Sequence, residues 1–135
     1  MAVASSCLAP PADTVYRLLR ALQLRDEEGV AAQLHPEVQA HGARGTKRGI
    51  DEVVAWAKPS IEGHLVSSVE VDELRQVSDE WVAVGARRLW NWAETGELAD
   101  EQPFGVLFQV RDGKVLDWDQ THGALADAID AIPAS

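Results

Sequence analysis

The sequence predicts an α+β fold in which three N-terminal helices pack on one face of a curved antiparallel sheet. Apolar residues recur at helical spacing up to about residue 58, and they alternate with other residues from about residue 66 onward. An Asp-Gly pair at 112–113 separates two alternating segments, and this pair favours the tight turn of a β-hairpin. Helices followed by a run of strands are typical of a sheet that helices cover on one face.

The helical pattern divides into three helices. The first spans about residues 11–26, with an apolar face formed by Val15, Leu18, Leu19 and Leu22. The second spans about residues 27–34 and ends before Pro36, which lacks the backbone N–H that a helix needs. The third spans about residues 50–58. Its first turn contains Asp51 and Glu52, where the helix dipole favours acids.

The remaining elements are strands, apart from one short terminal helix at about residues 124–132. A short strand is predicted at residues 37–41, followed by a basic loop up to residue 49. Longer strands are predicted at residues 66–77, 81–93, 103–111 and 114–122, with a loop at residues 94–102. In the last strand, strict alternation places Leu116, Trp118, Gln120 and His122 on one face.

Composition indicates one domain, which we assign to residues 11–132 after a flexible tail of residues 1–10. The 135 residues are 46% hydrophobic, and a formal charge of −10 disfavours binding to nucleic acid or anionic membranes. Cys7 is the single cysteine, so an internal disulfide cannot form. The sequence contains neither a membrane-spanning apolar run of roughly 20 residues nor a signal peptide pattern, so we predict a cytoplasmic protein.

Three segments carry a resemblance to a known superfamily: VYRLLRALQLRDEEGVAAQLHPEVQAHG, KRGIDEVVAWA and WNWAETGELADEQPFGVLFQVRDGKVLDW. Their order, with the Arg25-Asp26 step between two helices and Gly49 before the third, resembles the nuclear transport factor 2-like superfamily. Within it, the chain is similar to the SnoaL-like branch, which includes polyketide cyclases and limonene epoxide hydrolases. The resemblance implies a cone-shaped mixed or antiparallel sheet with the three helices on its concave side, a hydrophobic pocket and a homodimer. It implies no particular reaction.

The residues that related isomerases and hydrolases use are largely missing from this sequence. At the places of the ketosteroid isomerase base, tyrosine and aspartic acid, the resemblance puts Gly42, Leu18 and Val106, none of which transfers a proton or donates a side-chain hydrogen bond. Epoxide hydrolases of the superfamily hold water with an arginine between two carboxylates. Arg88 matches the arginine, but Trp90 and Gln120 stand where carboxylates are required.

The SnoaL-like cyclases suggest a catalytic candidate at the end of the last strand. Their pattern Trp-Asp-x-x-Asp ends in an acid-base aspartate, and residues 118–122 read Trp-Asp-Gln-Thr-His. His122 therefore replaces that aspartate, and a histidine that titrates near neutral pH can remove an activated carbon-bound proton. The alternative is a partly exposed structural histidine at a strand end.

Five residues are predicted to contact a ligand: Trp90, Trp92, Trp118, Trp56 and His41. Trp90 and Trp92 share a strand face with Arg88 and suggest a flat apolar wall, although large side chains also simply fill a sheet against its helices. Arg88 on an apolar face requires either an internal acid or an anionic or carbonyl-bearing ligand. If the register differs, Arg87 and Arg88 are both solvated.

Metal and cofactor sites are not predicted. His35 and His41 lack a recognisable ligand spacing, and there is no cysteine pair. The loop HGARGTKRG contains Lys47 and other cations before a helix, but it lacks the P-loop pattern, so we interpret it as solvated.

Three functions remain open at this level. The first is a cofactor-free isomerase or cyclase for a hydrophobic polycyclic or terpenoid substrate, with His122 as base and Arg88 or Gln120 polarising an oxygen. The second is a domain that binds or carries a hydrophobic small molecule without chemistry. The third is a dimeric scaffold with a filled core.

Overall fold

The computed structural model describes residues 10–42, 45–57 and 61–132. The predicted tail at residues 1–10 and Cys7 lie outside them, except for the backbone of Pro10. The elements, in chain order, are α1 Pro10–Gln23, α2 Glu27–Ala32, β1 Leu34–Gly42, β2 Gly45–Arg48, α3 Ile50–Trp56, β3 Ile61–Glu62, β4 Leu65–Gln76, β5 Trp81–Trp92, β6 Leu98–Arg111, β7 Lys114–His122 and α4 Leu125–Asp130.

One curved, unclosed sheet contains all of these strands in the order β2-β1-β7-β6-β5-β4-β3. The pairing of β1 with β7 is parallel, and the other pairings are antiparallel. The sheet is therefore mixed. Together with the helices, it confirms the predicted α+β class, with α1, α2 and α3 on the concave side.

The two faces of the sheet are packed differently. On the inner face, which α1 and α3 cover, the main core is formed by side chains such as Val15, Leu18, Val84 and Phe108. On the outer face, Ala83 and Leu107 pack against Ala128 of the short helix α4. Close packing by α4 explains Gly105, because a Cβ there would lie 2.1 Å from the backbone oxygen of Ala124.

Local signals explain where the helices and the hairpin turn. Asp26 caps α2 by accepting a hydrogen bond of 3.0 Å from the Gly29 amide. Arg25 precedes it with a φ of 54°, which reverses the chain between α1 and α2. The predicted Asp-Gly turn is confirmed, with φ of 56° at Asp112 and 74° at Gly113.

Several predicted boundaries are wrong. The second helix ends at Ala32, and β1 starts at Leu34 with an irregular register towards β7, whereas we expected helix up to residue 34. The basic loop contains a strand, β2, at Gly45–Arg48. Strand β6 begins at Leu98 inside the expected loop, because residues 98–102 continue the pairing with β5.

Two register shifts in β7 change which side chains share a face. One falls between the pairs Gln109–Asp117 and Val110–Val115, and the other between Gly105–His122 and Leu107–Asp119. Each gives β7 one extra residue relative to β6, and such a bulge reverses the alternation. The prediction that His122 shares a face with Trp118 and Gln120 is therefore wrong, because His122 lies opposite Gly105 on the outer face.

None of the helices in the described ranges combines the length and apolarity that would let it cross a membrane.

Candidate functional site

A cavity of about 590 Å³ lies between the helices and the inner face of the sheet. Leu19 and Leu22 of α1 and Trp56 of α3 form its helical wall. The sheet contributes aliphatic and aromatic side chains from three neighbouring strands: Val84, Ala86, Trp90, Phe104, Val106, Phe108 and Trp118. A cavity of this size with a mostly apolar wall is typical of small-molecule sites.

Aromatic rings in edge-on contact form the end of the cavity nearest β7. The rings of Trp56 and Trp118 have centroids 5.1 Å apart and planes at 80°, and Phe108 lies 5.4 Å from Trp118. Trp118 is only 4% exposed, so this end is fixed by packing. The Trp56 indole also lies against Gly42, where an added Cβ would be 3.0 Å from the ring.

The ionisable residues among the described lining are all cationic: Arg25, Lys47 and Arg88. Arg88 is half-buried, and its guanidinium carbon lies 5.4 Å from the centroid of the Phe104 ring, a cation–π geometry. Gln23, Ser67, Ser68 and Gln120 supply the remaining polar lining. The cavity therefore combines an apolar body with hydrogen-bond donors that are positively charged.

Five of the eight predicted site residues line this cavity: Arg88, Gln120, Trp90, Trp118 and Trp56. The other three lie elsewhere. Trp92 is 46% exposed at the end of β5, beyond the cavity. His41 and His122 lie on the outer face of the sheet, where they contact aspartates. The structure thus separates the predicted base, His122, from the predicted polarising groups, Arg88 and Gln120.

On the outer face, His41 and His122 flank two aspartates of β7. His41 Nε2 lies 3.3 Å from an oxygen of Asp117, and its Nδ1 lies 2.9 Å from the Thr46 hydroxyl. His122 Nε2 lies 3.3 Å from Asp119 Oδ2, but the alignment does not form a hydrogen bond, and this buried nitrogen has no hydrogen-bond partner within the described residues.

The two aspartates have opposite pKa shifts. Burial raises the pKa of Asp117, and the neighbouring His41 only partly offsets this effect. Burial also acts on Asp119, but hydrogen bonds from the Thr121 hydroxyl and amide, together with His122 and His41, lower its pKa overall. In residues 10–42, 45–57 and 61–132, no group of three side chains is arranged to hold a metal ion.

The positions to which the family resemblance assigns the isomerase residues are filled by packing. Leu18 is fully buried, Val106 lines the cavity, and Gly42 contacts the Trp56 ring. None of the three has a side chain that transfers a proton.

Sequence reasoning missed three residues of the lining that matter here: Arg25, Lys47 and Phe104. Arg25 was visible only as part of the step between two helices, and Lys47 only as part of a basic loop. The signal that identifies them is three-dimensional, because β2, β6 and the turn between α1 and α2 come together only in the fold.

A family model described as "SnoaL-like domain" matches residues 15–118 of the chain. The chain belongs to the SnoaL-like family. This assignment confirms the resemblance that the sequence segments indicated. None of the curated proteins matches the sequence significantly.

Solved structures with this fold include a protein of unknown function from Burkholderia pseudomallei that is NTF2-like. It is 26% identical, with a TM-score of 0.68 over 94% of this chain and 100% of that one. An epoxide hydrolase from Mycobacterium tuberculosis is 18% identical, with a TM-score of 0.66 over 90% of this chain and 87% of that one.

A third structure, from Mycobacterium tuberculosis, contains estradiol-17beta-hemisuccinate. It is 15% identical, with a TM-score of 0.67 over 84% of this chain and 94% of that one. The last two likenesses show the fold of the SnoaL-like domain and no more.

Proposed function

We propose that this SnoaL-like domain binds an apolar, ring-containing small molecule in the inner cavity. The observation that carries the proposal is the cavity of about 590 Å³ with aromatic walls from Trp56, Trp90 and Trp118. A volume of this size accommodates a polycyclic or terpenoid molecule, and indole faces offer large, rigid contact areas. A protein of the same fold is known in complex with estradiol-17beta-hemisuccinate, which supports a ring-shaped ligand.

The wall favours binding over acid-base chemistry. Its described lining contains neither a carboxylate nor an imidazole, the side chains that most often transfer protons in enzymes. The catalytic alternative, with His122 as base and Arg88 or Gln120 polarising an oxygen, stays a prediction. It requires His122 to act on a molecule on the opposite side of the sheet.

The test is a titration of the purified protein with apolar polycyclic ketones and terpenoids, followed by tryptophan fluorescence. Trp90→Ala and Trp92→Ala form a matched pair, because the two residues are near neighbours on β5 but only Trp90 lines the cavity. We expect saturable quenching in the wild type and in Trp92→Ala. In Trp90→Ala, lost apolar contact should weaken binding by about tenfold or more.

A flat response across the whole panel would contradict the proposal and favour the scaffold with a filled core. His122→Ala distinguishes binding from catalysis: ligand affinity survives this substitution under our proposal. Turnover of a panel member that His122→Ala abolishes would instead support the isomerase or cyclase.

We further propose that residues 11–132 act as one cytoplasmic domain and that two copies form the homodimer that the family resemblance implies. Light scattering coupled to size-exclusion chromatography measures the second point directly, and a monomeric mass at high protein concentration would contradict it.

A further inference from the structure

Two consecutive arginines on β5 have opposite surroundings. Arg87 lies on the outer face, where it donates hydrogen bonds to Asp72 at 3.0 and 3.1 Å, to Glu101 at 2.9 Å and to Glu70 at 2.8 Å. The hydrogen bonds with Asp72, followed by the one with Glu101, raise the pKa of Arg87. Arg88 points into the cavity and forms no ion pair with any carboxylate in the part of the chain that the structure describes.

The position of Arg88 is costly without an anion. Its side chain is half-buried beside Phe104, Ala86 and Trp90, which lower the local polarity but cannot accept a charged hydrogen bond. A cation in such surroundings loses hydration that only a partner of opposite charge fully replaces. The Phe104 ring face compensates in part, and it also holds the guanidinium in one place. Arg88 is thus positioned before any ligand arrives.

The charged residues in the described lining of the cavity are positive, whereas the whole protein carries a net negative charge. The chain has 22 acidic and 12 basic residues, a formal charge of −10, yet the described lining includes three cations and no acid. Arg25 and Lys47 reach the cavity from the helix corner and from β2, so cations approach it from three separate elements. A concave, apolar-walled surface with charge of one sign concentrates ligands of the opposite sign.

We propose, as an extension that rests on the proposed binding function, that the ligand is a ring-containing carboxylate whose acid group is held by Arg88. The planar guanidinium matches a carboxylate with two parallel hydrogen bonds. The apolar part of the ligand lies towards Trp118 and Trp56, and Arg25 and Lys47 add longer-range attraction at the cavity edge.

The experiment compares matched acids and amides by isothermal titration calorimetry at neutral pH. The probes are pyrenebutyrate against pyrenebutyramide and naphthylacetate against naphthylacetamide, which differ only in the charged group. The proteins are the wild type, Arg88→Met and Arg87→Met. Both variants remove one positive charge from the same strand, so the pair separates the place of the charge from the net charge of the protein. Circular dichroism and thermal unfolding check that each variant is folded.

We expect the wild type and Arg87→Met to bind each acid roughly ten- to a hundredfold more tightly than its amide, the range of a charge-assisted hydrogen bond. In Arg88→Met, this ratio should fall to about one, while the amides bind within about threefold of wild type. Equal binding of acid and amide by the wild type would overturn the inference and leave the binding function intact. A ratio that survives in folded Arg88→Met would also overturn it. Failure of all four probes to bind would contradict the binding function itself.

Discussion

Arginine and glutamine side chains have different partners on the inner and outer faces of the sheet. On the outer face, charged side chains contact one another: Arg87 meets three carboxylates, and Glu80 accepts hydrogen bonds from Gln109 at 2.6 Å and from Arg111 at 2.7 Å. On the inner face, Arg88 and Gln120 line an apolar cavity instead. Charged groups that form ion pairs with each other have already used their hydrogen-bonding capacity. A guanidinium that packs on an aromatic ring still has N–H groups that can bind a ligand.

The face of the sheet that a polar residue occupies decides what that residue can do. The sequence made His122 the candidate base and Arg88 a candidate polarising group. The fold places His122 beside Asp119 on the outer face and Arg88 in the cavity. Substitutions on the two faces test this difference.

The outer face has no spare volume where α4 packs on it. A Cβ at Gly105 would lie 2.1 Å from Ala124 O, so Gly105→Ala forces the start of α4 away from the sheet. We expect it to lower the free energy of unfolding by roughly 1–3 kcal/mol. Gly123→Ala is the matched control, because its Cβ would be 3.4 Å from the nearest atom. Urea denaturation measures both, and equal stability of the two variants would contradict the close packing.

An acid introduced on the inner face should make that face resemble the outer one. Val69 is the cross-strand partner of Arg88 and lines the cavity, so in Val69→Asp a carboxylate can pair with the guanidinium. We expect pyrenebutyrate to bind about tenfold or more weakly, with little remaining preference over pyrenebutyramide.

Val77→Asp controls for the added negative charge, because Val77 and Val69 are both 43% exposed but Val77 lies outside the described lining of the cavity. Calorimetry should show an unchanged preference for the acid in this variant. Loss of the preference in both variants would mean that net charge, and not pairing with Arg88, controls binding.

The two aspartates of the outer face should respond to pH with opposite signs. The pKa of Asp119 is lowered from its ordinary value of 3.8, so its charge stabilises the fold above that pH, and the stabilisation is lost as the pH falls. The pKa of Asp117 is raised from 3.8, so its ionisation destabilises the fold as the pH rises through the folded-state value.

At neutral pH, Asp119→Asn should therefore lower the free energy of unfolding and Asp117→Asn should raise it, each by less than about 1 kcal/mol. Below pH 3.8, both differences should shrink towards zero. Urea denaturation at neutral and acidic pH measures the four values. Effects of the same sign at neutral pH would show that the two carboxylates do not have distinct environments.

The fold was predictable from the sequence because local signals and periodicity agreed over long stretches. The Asp112-Gly113 turn, the alternation in β5 and the apolar spacing of α1 each indicated the correct element, and their order indicated the family. Alternation along β5 correctly predicted that Trp90 and Arg88 share one face of that strand. The pairing of β5 with β6 has no register shift between Val82 and Trp90, so the alternation is not interrupted there.

The placement of His122 was not predictable in the same way. The two bulges in β7 depend on how that strand pairs with β6, and this pairing is not encoded in a local pattern. A single extra residue moves every later side chain to the opposite face. The roles of Arg25 and Lys47 were hidden for a related reason, since each belongs to an element far from β5 along the chain.

The contact between Gly42 and the Trp56 indole has an evolutionary consequence. A carboxylate at position 42, to which the family resemblance assigns the isomerase base, requires a Cβ only 3.0 Å from the present ring. Since Trp56 also packs edge-on against Trp118, the indole cannot move without disturbing a second ring. An acid at position 42 therefore requires the Trp56 ring to shift by a few tenths of an ångström. Such an acid is easier to accommodate once position 56 has become smaller, and this coupling favours one order of the two substitutions.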